Sequence, residues 1–304
     1  TIDLRDEGLR RVLFLMGPGT LGMAATQINV FVNTMLATSQ GTGAVSWLDF
    51  AFRLMYLPIG LFGVSIATAA TPAISRLVAQ QDFAQIRRTL AGALGLMLFL
   101  NLPATVGLMV LARPIIAVIF EHGRFTAADT AATAAALQFY AIGLVGYSIV
   151  RIISPTFYAL GRSRIPVLVS ASSVVVNIAL NVTLVRVLGY KGLALGTSMT
   201  AIVNAMVQMW LLRREIHGIE GGRIAASFAR VAVASAVMGL AAWACDAGLL
   251  VVVPGTSLPM QMIRLLITIG VSLLTLTAAA HVLRIPEYGE ARDMVLKKLR
   301  KVAG

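Results

Sequence analysis

Long apolar stretches dominate this sequence and restrict what it can fold into. Eight of them reach about the 20 residues that a helix needs to cross a bilayer. Charged residues are only 12% of the chain, about half of the ~25% typical of soluble domains. We therefore predict an all-α integral membrane protein with about eight transmembrane helices. The predicted spans are Val12–Ala37, Val45–Ala70, Leu90–Leu111, Ala131–Leu160, Ile165–Val187, Gly192–Leu212, Ile224–Ala247 and Met260–Leu283.

Basic residues are distributed unevenly between alternate connecting segments. If the N-terminal end is cytoplasmic, 17 Lys and Arg residues fall in cytoplasmic segments and 5 in outer segments. Such residues are retained on the cytoplasmic side of membrane proteins. The pattern predicts that both ends of this chain are cytoplasmic. It also accounts for the net charge of +12 without a nucleic-acid partner.

Three arginines lie within or near the apolar stretches. An arginine at membrane depth costs at least ~2.5–3.5 kcal/mol, so it usually faces a cavity or a partner. Arg53 follows Asp49 by four residues, which places both side chains on one helical face where they can pair. Arg151 precedes Pro155, whose kink could free backbone carbonyls to receive the guanidinium. Arg230 lies close to a cytoplasmic edge and can extend its side chain to water. For Arg53 and Arg151 the residues alone leave both a functional and a structural role open.

Amide side chains form a second pattern of four-residue spacings. Asn177 and Asn181 share one helical face, as do Asn29 and Asn33. A later stretch contains small and hydroxyl residues that permit close helix contact, namely Gly192, Gly196, Thr197 and Ser198. These groups predict either polar contacts between helices or a small pocket lined by oxygen atoms for a cation.

No motif in the chain points to enzyme chemistry. A phosphate-binding loop, a His–Glu metal motif and a Ser/His/Asp set are all lacking, so we predict neither direct use of ATP nor an enzyme nor a cofactor. The four prolines that lie within or at the ends of spans are typical of transporters with broken helices, although channels and receptors have them too. They are Pro58, Pro72, Pro103 and Pro155.

Several segments together resemble the MurJ/MviN family of lipid II flippases, and their order and spacing match from about Arg11 to Arg214. The segments are Gln27–Asn29, Ser46–Thr68, Phe120–Thr126 with Asp129 and Thr130, Ser154–Gly161 continuing to Pro166, and Gly192–Ser198.

The resemblance implies an organisation larger than this chain. Family members have two six-helix lobes and a final helix pair, and this chain resembles helices seven to fourteen. We therefore expect a cytoplasmic segment at 1–11, a six-helix transporter lobe at 12–214 and two additional helices forming a lipid-tail groove at 215–284. A basic amphipathic cytoplasmic tail at 285–304 is expected to contact membrane lipids. The chain begins with Thr1 rather than Met, and we expect that it lacks the first lobe and cannot transport alone.

The resemblance also implies a cargo. Members move lipid II, an undecaprenyl-pyrophosphate-linked peptidoglycan precursor, between the leaflets of the bacterial cytoplasmic membrane by alternating access. A membrane potential or an ion gradient, sodium or proton, is expected to drive the movement. Arg53 matches the cavity arginine of the family and is expected to bind substrate together with Asp49 and Arg151. Members commonly have Asp immediately before that arginine, whereas this chain has Phe52.

Some relatives bind sodium in this lobe through carboxylates, and the resemblance places that site on side chains that are amides here. Without a formal charge the site should bind a monovalent cation weakly, so packing between helices is the favoured interpretation. The matching positions are Asn33, Asn177, Asn181, Thr197 and the Leu193 carbonyl. Alternative functions are export of another polyprenyl-linked glycan, a membrane-embedded glycosyltransferase and a non-transporting scaffold.

Overall fold

The computed structural model describes residues 27–252, 255 and 257–289. Within these ranges every regular element is helical, which confirms the all-α prediction. A π-helix, Ile59–Gly63, joins α2 to α3. The α-helices are α1 (27–38), α2 (Ala44–Pro58), α3 (Val64–Ala79), α4 (Phe83–Val110), α5 (Ala112–Phe120), α6 (Ala127–Ala159), α7 (Arg164–Leu188), α8 (Tyr190–Glu215), α9 (Gly221–Val252) and α10 (Leu258–Val282), followed by a short turn of helix at 286–289.

Seven helical segments in the described ranges are long and apolar enough to cross a membrane. They correspond to the second through the eighth predicted spans, with α2, the π-helix and α3 forming one segment, Ala44–Ala79. The first predicted span, Val12–Ala37, lies mostly outside the described residues, and α1 contains its end. The predicted segment 1–11 and residues 290–304 of the predicted basic tail also lie outside them.

Several helices begin earlier than hydropathy predicts because polar side chains cap them. The Asp82 carboxylate accepts a hydrogen bond from the Gln85 backbone N–H at 2.9 Å, which starts α4 seven residues before the predicted Leu90. Thr126 and Asp129 form a reciprocal capping box at the start of α6. Capping satisfies backbone donors that have no partner within the helix. Hydropathy alone locates the apolar middle of such helices but not their polar first turn.

Helix α6 is the centre of the packing and touches α2, α3, α4, α5 and α8. Two glycines let α8 approach it closely. A Cβ added at Gly143 would lie 2.7 Å from the Ser198 Cα, and one added at Gly146 would lie 2.8 Å from the Ala201 backbone. The Ser198 hydroxyl donates to the carbonyl of Phe139 at 2.7 Å. Backbone proximity and this hydrogen bond therefore fix α8 against α6.

The last two long helices pack on each other, and α9 also packs against α4 while α10 packs against α5. Phe99 of α4 shares an apolar cluster with Val231 of α9 and Ala280 of α10. After α10 the chain turns back, and the buried Glu287 carboxylate accepts a hydrogen bond from the Ser227 hydroxyl of α9 at 2.8 Å. The pair is thus attached to one side of the bundle through α4 and α5.

Candidate functional site: an arginine-containing groove

The helix that carries Arg53 is interrupted in its middle. Pro58 ends α2, and the chain continues as a π-helix to Gly63 before α3 begins. Proline removes a backbone donor, and single π-helical turns inside α-helices occur frequently at functional sites. The helix is therefore distorted after Pro58 but not broken, because the chain stays helical from Ala44 to Ala79. Pro72, Pro103 and Pro155 instead lie inside helices that continue past them, because a neighbouring helix can compensate for one lost hydrogen bond.

Two neighbouring depressions lie along this interrupted helix and α6, and we call them together the arginine groove. The first has a volume of about 690 Å³, and the second about 670 Å³. Arg53 lies in the first and Arg151 in the second, and Tyr56 at the edge of the first contacts Arg151. The groove lining includes Phe52, Arg53, Tyr56, Gly60, Leu61, Thr68, Tyr147, Arg151, Ser154 and Tyr158.

Arg53 forms the ion pair with Asp49 that the spacing predicts. The Arg53 Nε lies 2.9 Å from the Asp49 Oδ2, and the two side chains are 72% and 52% exposed. An exposed pair of this kind contributes little stability, in the range of ~0–1 kcal/mol. Only Nε takes part, so the two terminal amino groups of the guanidinium have no partner within the described part of the chain. Asp49 therefore pairs with Arg53 through Nε and leaves those donors without a partner in the described part of the chain, at the depression that Arg53 lines.

Arg151 has a different partner from the one predicted. Its guanidinium donates a hydrogen bond to the Tyr56 hydroxyl and lies 5.7 Å from the centre of the Tyr56 ring. The prediction that carbonyls freed by Pro155 receive it is wrong for a geometric reason. The carbonyl that Pro155 leaves without a donor, four residues back, is that of Arg151 itself. The side chain therefore crosses to α2 instead.

An aromatic wall links the two arginines, and the sequence reasoning missed it. Phe52 packs edge-on against Tyr140 at 5.4 Å between ring centres and lies near Tyr147 at 6.4 Å. Tyr56 approaches Tyr147 at 6.5 Å. The four- and seven-residue spacings of these aromatic residues were the available signal. Phe52 thus packs against α6, and the carboxylate beside Arg53 comes from Asp49, one turn earlier.

The predicted amide cluster is present and joins three helices. The Asn181 amide donates to the Asn33 Oδ1 at 2.6 Å and to the Asn177 Oδ1 at 3.0 Å. Asn33 donates to the same Asn177 oxygen at 3.3 Å. Asn177 in turn donates to the hydroxyls of Thr200 at 3.3 Å and Thr197 at 3.5 Å. The sequence analysis included all of these residues except Thr200.

The donor set of this cluster does not suit a resident cation. Each of the three amide groups directs its N–H₂ toward a neighbouring oxygen, so the amide donors bond to one another and to nearby hydroxyls. The Leu193 carbonyl accepts from the Thr197 hydroxyl at 2.8 Å. A monovalent cation would have to displace these bonds without the help of any carboxylate. The Asn181 Oδ1 has no hydrogen bond within the described residues and lies beside Gly196, where an added Cβ would be 2.0 Å away.

Comparison with known proteins decides the family. Residues 1–287 match the family model described as lipid II flippase MurJ. The chain belongs to this family. It is 35% identical over 248 residues to the "Probable lipid II flippase MurJ" of Vibrio cholerae, covering 80% of this chain and 46% of the relative. It is 32% identical over 241 residues to the "Lipid II flippase MurJ" of Burkholderia cenocepacia, covering 79% and 47%.

Solved structures of a lipid II flippase and of a multidrug transporter share this fold. A lipid II flippase MurJ in an inward closed conformation matches with a TM-score of 0.71 at 26% identity, covering 93% of this chain and 57% of that chain. A multidrug transporter of the MATE family in an inward-facing conformation matches with a TM-score of 0.63 at 19% identity, covering 72% and 50%, and shows the fold alone. This chain is therefore a multi-span membrane protein of a transporter family rather than an enzyme. It spans about half the length of the curated relatives that it matches.

Proposed function

We propose that this chain carries one part of a lipid II flippase in the bacterial cytoplasmic membrane, with both of its ends in the cytoplasm. The carrying observation is the arginine groove, since two guanidinium groups on an open, partly aromatic face are uncommon within transmembrane helices. Cationic side chains at membrane depth usually mark the path of a substrate or an ion. A polyprenyl pyrophosphate is an anion whose head group needs such charges to cross.

Arg53 is the proposed primary contact for the pyrophosphate. Its terminal amino groups form a planar fork that fits two phosphate oxygens, a geometry that lysine does not offer. Arg151 is the proposed second contact, with Tyr56 holding its guanidinium at the middle of the groove. Asp49 orients Arg53 rather than binding the anion directly, because two negative groups repel each other.

The lipid tail is proposed to lie in an apolar crevice next to the groove. This crevice, about 320 Å³ in volume, lies between the π-helical segment, α4 and the last helix pair. Phe62 and Pro58 come from the interrupted helix, and Met238 and Leu273 come from α9 and α10. One element thus lines both the charged groove and the apolar crevice, which supports the proposal that two parts of one lipid use them.

A second lobe is the proposed partner across the groove. The curated relatives are about twice as long as their match to this chain, and that additional length is enough for a further bundle. Alternating access would then open the groove to each side of the membrane in turn.

Complementation tests this proposal. Bacteria depleted of their own flippase and supplied with the full-length parent of this chain are expected to regain lipid II exposure on the outer leaflet. Exposure is measured by labelling lipid II in intact cells, with immunoblotting of membranes to confirm abundance. Failure of a protein that is present and folded would favour export of a different polyprenyl-linked glycan.

We further propose that the membrane potential, rather than sodium binding at the amide cluster, drives the movement. Moving a unit charge through 100 mV yields ~2.3 kcal/mol, which is enough to bias two conformations. The cluster is formally uncharged and its amides already bond to one another.

Thermal unfolding in sodium and potassium salts tests this assignment. The wild-type midpoint is expected to be the same in both salts at equal ionic strength. Asn181→Asp is expected to acquire sodium-specific stabilisation, about 1.4 kcal/mol when sodium is present at roughly ten times its Kd. The control is Gln40→Glu, which adds a carboxylate in the turn after α1. A wild-type protein that sodium stabilises over potassium would identify the cluster as a cation site.

A further inference from the structure

A second charged cavity lies away from the arginine groove, between α5, the end of α9 and the start of α10. Its volume is about 320 Å³. Arg113 and Glu121 come from α5 and its C-terminal end, Asp246 from α9 and Arg264 from α10. None of these residues lines the arginine groove, and the proposed transport mechanism uses none of them. Glu121 lies in one of the segments that carry the family resemblance, Phe120–Thr126.

The two long helices place their charges at the same level. The Thr268 hydroxyl of α10 contacts the Cys245 sulfur of α9 at 3.8 Å and donates to the Arg264 carbonyl at 2.9 Å. Asp246 follows Cys245, and Arg264 lies one turn from Thr268, so the two charged residues face the cavity together. Asp246 is six residues from the end of α9, about 9 Å along the axis at the usual rise. Asp246 therefore lies about two turns inside the end of a helix that is long and apolar enough to cross a membrane.

The four charges balance, and Arg264 interacts electrostatically with Asp246 without forming a salt bridge to it. None of the salt bridges in the described part of the chain joins these arginines to these carboxylates. Arg264 donates to the Gly255 carbonyl at 3.0 Å, and Glu121 accepts from the Thr130 hydroxyl at 2.6 Å. Arg113 and Asp246 have no hydrogen bond within the described residues. The cavity thus offers positive and negative groups that are not joined in salt bridges with one another.

We propose that this cavity binds the head group of a zwitterionic phospholipid with a primary ammonium, phosphatidylethanolamine. Its phosphate would accept from Arg113 and Arg264, and its ammonium would donate to Asp246 and Glu121. A purely anionic lipid fits less well, because the two carboxylates cancel the charge of the two arginines. A choline lipid fits less well because its quaternary nitrogen has no N–H to donate.

The surface beside the cavity suits the acyl chains of the same lipid. Leu250 lines the cavity, and its neighbours Val251 and Val252 are 80% and 76% exposed. Ile263 and Leu266 continue an exposed apolar surface on α10. A polar head-group cavity next to an exposed apolar strip is the arrangement that a single bound lipid requires.

Native mass spectrometry of the full-length, delipidated protein tests this proposal. Phosphatidylethanolamine, phosphatidylcholine and phosphatidylglycerol with identical acyl chains are added separately, and the fraction of protein carrying one lipid is measured. We expect phosphatidylethanolamine to bind about tenfold more tightly than phosphatidylcholine, since one charge-assisted hydrogen bond changes affinity by roughly that factor. Asp246→Asn with Arg113→Gln is expected to abolish this preference.

The matched control is Arg186→Gln, which removes an exposed arginine at the end of α7 that lies outside the cavity. It is expected to leave the preference unchanged. The comparison of lipids on the wild-type protein stands even if the double variant does not fold. Equal binding of the ethanolamine and choline lipids, or tighter binding of phosphatidylglycerol, would overturn the proposal. So would loss of the preference in Arg186→Gln.

Discussion

Arg53→Ala in the full-length parent is expected to abolish lipid II exposure on the outer leaflet, whereas Arg53→Lys retains part of it. Arg53 presents free guanidinium donors to the groove because its bond to Asp49 uses only Nε. Removing a charge-assisted contact to a phosphate costs at least about tenfold in binding or rate. Lysine keeps the charge but loses the planar fork, which predicts an intermediate result. Exposure is measured as in the complementation assay.

The control for this experiment is Arg230→Ala, since Arg230 is exposed on α9 and does not line the groove. Membrane levels of all variants must match those of wild type. Normal lipid II exposure in cells carrying Arg53→Ala would mean that Arg53 only forms its ion pair with Asp49, and the site assignment would be wrong. Loss of exposure in Arg230→Ala as well would point to a general effect of removing cationic residues.

The transmembrane helices could be predicted from the sequence because hydropathy acts locally. Each span contains about 20 apolar residues, a feature that can be recognised without knowing which helices pack beside it. The ends of the helices could not be predicted from hydropathy, since α4 and α6 begin with polar turns that side-chain capping explains. The π-helix after Pro58 could not be predicted either, because a proline indicates that the helix is distorted but not which hydrogen-bond pattern follows.

In the candidate site, contacts within one helix could be predicted from the sequence, whereas contacts between helices could not be predicted from residue spacing. The pair Asp49–Arg53 and the pair Asn177–Asn181 are four residues apart, so helical geometry alone places each pair together. The bond between Asn33 and Asn177 spans 144 residues, and that between Arg151 and Tyr56 spans 95. Such contacts depend on which helices pack together, and periodicity carries no information about that. The family resemblance predicted that Asn33 and Asn177 lie together, and nothing in the sequence predicted the contact between Arg151 and Tyr56.

Gly146→Ala is expected to destabilise the protein by about 1–3 kcal/mol, the usual cost of forcing an extra group into a packed interface. The new Cβ would lie 2.8 Å from the carbonyl and the following backbone nitrogen at Ala201 and Ile202 of α8. Backbone cannot move aside as a flexible side chain can, so α8 must shift relative to α6. Because α6 also carries Arg151, the shift is expected to disturb the groove. Thermal unfolding in detergent measures the change in midpoint.

Gly270→Ala is the matched control, because it makes the same substitution in another long apolar helix, α10, at a position with nothing within 4 Å of the added Cβ. Alanine there restricts the unfolded chain and favours the helix, so a change between zero and about 1 kcal/mol of stabilisation is expected. We therefore expect Gly146→Ala to lower the unfolding midpoint and Gly270→Ala to raise it or leave it unchanged. Equal midpoints for both would show that α6 and α8 do not rely on this close approach, and the groove would then need another element to hold Arg151 in place.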